Sequence, residues 1–407
     1  MSKVKSQVKA APVNRVLETK NLAGQWFDKV FRAQSIHFYR LLGVTLFLVT
    51  FGVVMVLSAS SIDSLVTNNS SWSVFLKQGF FAIAGLLLLS VVSLMSTRFI
   101  RSKAKLLLMG ALGMQILVIF IGKDINGNRN WLDVGGLFTI QPSEFLKIAV
   151  IIFIANRLAQ QIDNFHDRSV WFGALFLAAF AIALVMVGKD LGTVIIMAIT
   201  FLGMMILAGM PQKLINLVSL AVLVALPAAV FSSPSRVGRI TAWLNPNAPD
   251  PFGYNWQSEH GTWALAAGRI FGAGLGESKM KWSWIPEVEN DFIFAVIGEE
   301  LGLVGALVVI VLFVTLAFSF LRILQRTQDP FSRFVVSAVM LWIIFQAMVN
   351  IAVVLRLLPV LGVPLPLISA GGSSLVANLG AIGVVLAIER ENHANPYQER
   401  RRPVRRR

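Results

Sequence analysis

The sequence predicts an all-α, polytopic integral membrane protein of about ten transmembrane helices, with one long external loop between the seventh and eighth. Three observations carry this. The 407-residue chain is 56% hydrophobic and only 14% charged, where a soluble domain carries roughly 25% charged residues. Its mean hydropathy is +0.71. Apolar runs close to the ~20 residues that cross a bilayer recur along its length. Such runs far exceed a barrel strand, and backbone in lipid must satisfy itself, so helices are the required element.

The runs fall at 38–60, 75–95, 104–122, 144–160, 169–188, 190–209, 212–231, 292–320, 332–355 and 367–389. The first follows a polar, basic lead (1–37) unlike a cleaved signal peptide, so it reads as a retained span and 38–389 as one membrane domain. An even number of spans puts both termini on one side. That side, including the basic tail 390–407 that ends in "RRRPVRRR", holds 25 of the 36 Lys and Arg, against ten on the other. The positive-inside rule then places both termini in the cytoplasm and makes the +15 net charge a topology signal, not a sign of nucleic-acid binding. The final basic run also suits anionic lipid.

Most connections are short. The exception, 232–290, is too long for a linker, and long ordered loops tend to be functional. Within it, Pro- and Gly-rich turns flank "HGTWALAAGRIF", which predicts a short amphipathic helix lying at the membrane surface. There are no cysteines, which excludes disulfides and thiolate metal sites, and the four histidines are scattered without ligand spacing.

Chemistry concentrates on the external side. "WIPEVENDFIFAVIGEELG" (284–302) holds five of only 21 acidic residues. Asp291 stands where the loop enters the eighth span, and Glu299 and Glu300 follow about 12 Å deeper along the axis. A single carboxylate at a helix start is explained as a cap. Five beside Lys279, Lys281 and Trp284 point to a functional acid. In the fourth span Glu144 and Lys147, three apart on one face, neutralise each other as a structural pair or as part of a site. "VGKDLGT" sets Lys189 and Asp190 in a tight turn, with Asp190 as an N-cap or as a carboxylate facing the same cavity. "LGVPLPLISAGGSS" breaks helix at the outer side, which is tolerated where backbone is buried in protein or lines a cavity. Arg356 lies just upstream. Acids, cations and small residues around an outer groove suit a lipid with an anionic head.

The runs "NGNRNWLDVGGLFTIQPSEFLK", "KDLGT", "GYNWQS" (which ends on Ser258), "GLGESKMKWSWIPEVENDFIFAVIGEELG" and "PLISAGGSSLVANL" resemble, in order and over nearly the whole membrane region, the SEDS (shape, elongation, division and sporulation) family. "ENDFIFAVIGEELG" is closer to the division branch than to the elongation branch. The resemblance implies a ten-helix fold and a peptidoglycan glycosyltransferase that polymerises lipid II into undecaprenyl-linked glycan strands at the septal inner membrane. It also implies a class B penicillin-binding protein (a transpeptidase) and other division proteins as partners. By position, the family's essential aspartate falls on Asp291, its motif acid and lysine on Glu144 and Lys147, and the lysine before its aromatic–Pro–Glu motif on Lys281. Two positions depart from the pattern. Asn130 precedes Trp131 where the family has Arg, leaving Arg129 one place early, and Lys189 stands where Pro is common.

On this reading Asp291 is the general base, which is worth 10²–10⁴-fold. Lys281, Arg129, Arg356 or a divalent cation (Mg or Mn) would balance the departing pyrophosphate. Glu299 and Glu300 hold the bundle or the groove. Two rival classes remain: a lipid II flippase, which would set its binding groups nearer the midplane at broken helices, and a scaffold that leaves the external acids idle.

Overall fold

The computed structural model describes residues 34–125, 128–136, 138–247, 250–279, 281–282 and 286–394. The expectations for the basic segments 1–33 and 395–407, and for Trp284, fall outside the described residues. The elements run α1 (Ile36–Asn68), α2 (Ser73–Leu94), α3 (Thr97–Ile121), β1 (Lys123–Ile125), β2 (Asn128–Val134), β3 (Phe138–Ile140), α4 (Pro142–Gln160), α5 (Arg168–Val187), α6 (Leu191–Ala208) and α7 (Gln212–Phe231). There follow α8 (Pro234–Leu244), α9 (Trp256–Gly268), α10 (Ile293–Arg326), α11 (Pro330–Val354) and α12 (Gly372–Ala394).

Among the described residues nine helices are long and apolar enough to cross a membrane. The tenth expected span, α4, is 19 residues long, or about 28 Å at ~1.5 Å per residue. It carries Glu144, Lys147 and Arg157, too many charges for a lipid-facing helix. Its surroundings resolve this. α4 is buried along most of its length and packs against α3, α5, α11 and α12. Its start is tied on one face of the bundle, where Gln141 Nε2 donates to Asp190 Oδ2. Near its other end Asn156 Oδ1 accepts from Arg101 Nε. It crosses as an inner helix, sheltered from lipid by its neighbours.

The start of α1 and the end of α12 meet on one face, where Ser35 Oγ donates to Glu389 Oε1 at 2.5 Å. We call this the tail face, and the opposite one, which carries 232–292 and 355–371, the loop face. Several helix ends differ from the apolar runs for local reasons. Ser96 caps α3, accepting from Phe99 N, so the helix begins seven residues before its apolar stretch. α12 begins at Gly372 and not at 367, because Leu367 takes a left-handed φ of 67°. The 364–371 segment dips into the bundle. Its backbone lies against Gly52 of α1, where a Cβ would come 2.6 Å from Ile368 Cα. Gln78 satisfies the exposed peptide groups there, donating to Ser369 O and accepting from Gly371 N.

Three further features were not predicted. Residues 123–140 form a three-stranded antiparallel sheet, order β1-β2-β3, with Leu132 opposite Ile140. The expected amphipathic helix, α9, starts earlier and ends at Gly268. One side of it is seated on α10 through Gly261 and Gly268, where a Cβ at Gly268 would fall on Gly298 O, while Trp256 and Trp263 on its other side are exposed. The helix with one polar face is α8, which carries Arg236 and Arg239 and buries no residue fully.

The third feature is a break in α10. Gly302 has φ 67°, ψ −166°, which splits the helix in two. The freed carbonyls of Glu299 and Glu300 accept from Ala273 N and Gly274 N, and the freed amides of Leu303 and Val304 donate to Arg269 O and Ile270 O. The 269–274 loop thus replaces the lost helical bonds one for one. A Cβ at Gly302 would lie 2.3 Å from Gly272 N and 2.4 Å from Ile270 O. Gly302→Ala is therefore expected to cost more than the roughly 1–3 kcal/mol of left-handed strain alone, since the clash is with backbone. A thermal midpoint equal to wild type would show that the break relaxes freely.

Finally, α7 buries only Leu214 among its described residues and packs mainly on α8. Its other sides are left to lipid.

Candidate active site on the loop face

Asp291 sits just before α10, held from below by α11. Asn350 Nδ2 donates to Asp291 O and to Val363 O, both at 2.8 Å. One turn earlier, Gln346 Nε2 donates to Pro364 O at 2.9 Å while its Oε1 accepts from Trp342 Nε1. Residues 342, 346 and 350 share a helix face, so one rigid element fixes both the aspartate and the 361–364 loop. That loop passes close over the carboxylate: a Cβ at Gly362, which has φ 68°, would lie 3.6 Å from Asp291 Oδ2.

The carboxyl of Asp291 is partly accessible, yet protein surrounds it on most sides. Desolvation, then the charge of Glu287, and further Asp190 and Glu289, push it up to about 7, with Arg239 opposing. Glu289 is pushed up as well, mainly by burial, and its Oε2 has no hydrogen-bond partner among the described residues. Asp190 caps α6, accepting from Thr193 N at 2.9 Å, and accepts from Gln141 through its other oxygen. Burial raises it also. Lys189 takes the left-handed conformation of the tight turn before it, with φ 66°.

Glu144 and Lys147 form a buried ion pair at 2.7 Å. Lys147 Nζ also lies 4.5 Å above the Trp342 ring and 3.5 Å from Gln346 Oε1. The pair therefore reaches the same α11 ladder that holds Asp291.

Glu299 and Glu300 are fully enclosed and act as anchors. Glu299 accepts from Ser278 Oγ at 2.5 Å and Lys279 N at 2.9 Å. Glu300 accepts from Ser58 Oγ of α1 at 2.6 Å, with Lys281 Nζ 3.5 Å away. Lys281 is 5% exposed and also donates to Gly276 O, so its charge is committed to the loop and not offered to a ligand. Ser258 is buried within α9, its carbonyl accepting from Thr262 Oγ1. Arg129 is exposed on β2, while Asn130 is buried against Gly188, where a Cβ would overlap Asn130 Oδ1. That close fit accounts for the shifted arginine. Arg356 Nη2 donates to Asn255 Oδ1 at 3.3 Å, and its carbonyl accepts from Trp243 Nε1.

The cation acting on Asp291 is Arg239 of α8, which the sequence reading passed over. The available signal was "SRVGRI", two arginines three apart after a helix-starting Pro. Arg239 lines a cleft of about 320 Å³ with Phe252, Tyr254, Trp256, Gln257, Pro286 and Val360. Tyr254 lies flat on the α8 backbone at Gly238. The cleft offers aromatic faces and one positive charge; Asp291 is not among its lining residues and is linked to it through the charge of Arg239. For a divalent cation the fit is poor: among the described residues no three acids or histidines converge to hold one.

Residues 39–394 match the cell cycle protein family of FtsW, RodA and SpoVE. The chain is 41% identical over 352 residues to a probable peptidoglycan glycosyltransferase FtsW of Mycobacterium tuberculosis, covering 86% of this chain and 67% of that one. It is 36% identical to the stage V sporulation protein E of Bacillus subtilis, covering 85% and 95%. Its fold matches a chain of a peptidoglycan synthase complex that coordinates polymerization and crosslinking, with TM-score 0.70, 27% identity, and 89% and 99% covered. It also matches the rod shape determining protein RodA of Thermus thermophilus, with TM-score 0.65 and 24% identity over 89% and 99%. The chain belongs to the FtsW/RodA/SpoVE family of multi-pass membrane proteins.

Proposed function

We propose that this protein is a peptidoglycan glycosyltransferase that polymerises lipid II, with Asp291 as general base. The observation that carries this is the carboxyl at the mouth of α10, raised to about 7 and opposed by the charge of Arg239, which itself lines an aromatic cleft on the loop face. A sugar hydroxyl is a weak nucleophile. As its oxygen forms a bond to the anomeric carbon of the growing strand, its proton passes to Asp291, and the bond from that carbon to the lipid pyrophosphate breaks with its electron pair on the leaving group. A base whose pKa lies near the working pH is suited to this step. Arg239, whose charge acts on Asp291, is the candidate to balance the developing negative charge, a role that Lys281, locked to Glu300, does not fill. A divalent cation, if used, arrives with the pyrophosphate, and no step here depends on it. The relatives named FtsW support septal synthesis, and the crosslinking complex supports a class B penicillin-binding protein as partner.

The flippase reading gains one point, since α10 is broken. However, the break is filled by the 269–274 loop, and its freed peptide groups are bonded to that loop and not turned toward a cargo. Purified protein given labelled lipid II should yield polymer. Lipid II crossing sealed liposomes without polymer would overturn the proposal.

The loop face is taken as external, with both termini cytoplasmic, from the Lys and Arg asymmetry. Asn247 is exposed on the loop face and suits a labelling test. In this cysteine-free chain Asn247→Cys should react with an impermeant maleimide added outside intact cells. Reaction only after the inner side is opened would reverse the topology.

A further inference from the structure

On the tail face, away from the site just described, a second cleft of about 410 Å³ lies between the ends of α6 and α10 and the start of α11. We propose that it holds an anionic glycerophospholipid of the leaflet on that face. It is lined by Leu207, Leu324, Gln328, Arg333, Phe334 and Ser337.

The wall from α11 has an order. Arg333, Phe334 and Ser337 lie on one stripe of the helix, which also begins at Pro330, and span about 10 Å of rise from its start. The cation and Gln328 stand at the headgroup level, the aromatic ring below them, and the apolar wall of Leu207 and Leu324 runs alongside. Leu207 is 57% exposed although it belongs to a span, so this side opens to the bilayer and not into protein. The helix that follows α6 does not cover it, since α7 buries only Leu214.

Charge selects the headgroup. Arg333 is exposed and has no ion pair or side-chain hydrogen bond among the described residues. The nearest acid along the chain, Asp329, is already taken: it accepts from Ser332 N and Oγ and pairs with Arg101 at 3.8 Å. No carboxylate lines the cleft, so the quaternary ammonium of a choline headgroup finds no counter-charge there, whereas a headgroup of net negative charge meets Arg333. Arg322, Arg326 and Lys213 near the bordering helix ends add to the positive field. Free phosphate would use the arginine alone; a diacyl lipid uses arginine and apolar wall together.

The test uses the full chain in neutral detergent, with heat stability followed as lipid is added. Dioleoyl-phosphatidylglycerol should raise the midpoint by at least about 2 °C, and dioleoyl-phosphatidylcholine or inorganic phosphate should not. Arg333→Gln should abolish the shift, while Arg168→Gln, at the start of α5, should keep it. Leu207→Trp, which fills the cleft and leaves the charge, should abolish it too and serves if Arg333→Gln fails to fold. Native mass spectrometry should show one phosphatidylglycerol retained by wild type and lost in both cleft variants. An equal response to phosphatidylcholine, a shift reproduced by phosphate alone, or a full shift in the cleft variants would overturn the site.

Discussion

Asp291→Asn is expected to lower lipid II polymerisation by roughly 10²–10⁴-fold, the loss typical of a removed general base, while the protein stays folded and binds its partner. The substitution keeps the size of the side chain and leaves the backbone clamp from Asn350 untouched, because that bond is made to the carbonyl. A pH profile sharpens the expectation. The base works deprotonated, so the wild-type rate should rise about tenfold per pH unit below 7 and level off above it, given a carboxyl pushed up to about 7. Stability should move the other way. In the unfolded chain this acid loses its proton near 3.8, in the fold near 7, so wild type loses stability as pH rises through that window. The Asn variant does not titrate there. It should equal or exceed wild-type stability above pH 7, by at most ~4 kcal/mol, and by less where water reaches the side chain. Glu299→Gln and Glu300→Gln should differ in kind, lowering yield and thermal midpoint as the loop anchors to Ser278 and Ser58 weaken. A folded Asp291→Asn enzyme with near wild-type turnover, beside an inactive, well-folded Glu300→Gln, would move the base elsewhere.

Lys147→Ala should be the most destabilising of the single changes considered, costing about 3–5 kcal/mol, because it strands the Glu144 carboxylate inside the bundle. Glu144 already has one oxygen without a hydrogen-bond partner among the described residues, so no second donor stands ready. The double change Glu144→Leu/Lys147→Met should recover most of the loss, since well-packed apolar residues often match a buried pair. Exchanging the two charges should recover less, because the Trp342 face favours a cation at position 147. Chemical or thermal denaturation in detergent decides this. Equal stability of wild type and Lys147→Ala would mean that the acid is neutralised by protonation instead.

The spans were legible because lipid imposes a length and a composition that any window along the sequence reveals. α4 was legible too, as the apolar run 144–160, although its three charges make it too charged for a lipid-facing helix. Asp291 stood out as an acid at a helix mouth. What could not be read were relations between distant segments. Ser58 meets Glu300 across 242 positions, and the charge of Arg239 acts on Asp291 only because α8 is folded against the Lys189 and Arg356 carbonyls of the loop face. Gly302 looked like any glycine in an apolar run. Its role depends on a loop thirty residues earlier supplying the missing bonds, and no local pattern announces that. The seat of α9 could not be read for the same reason: its glycines are a docking seam for α10, visible only with both partners in place.

The clamp from α11 bears on which positions can drift. Asn350 and Gln346 grip the carbonyls of Asp291, Val363 and Pro364, and a carbonyl is the same whichever side chain its residue bears. The accuracy of the site is therefore written into two amides on a helix, and the loop they hold is released from spelling it. Pro364 can be replaced by residues of similar backbone preference with little effect on where the aspartate sits, whereas Val363 is also held by its own burial against Gly192. Gly362 is restricted by its left-handed backbone, which a side chain would strain. In a library of substitutions across 360–364 together with 346 and 350, intolerance should gather at the two amides, at Gly362 and at the buried Val360 and Val363, with most freedom at 361 and 364.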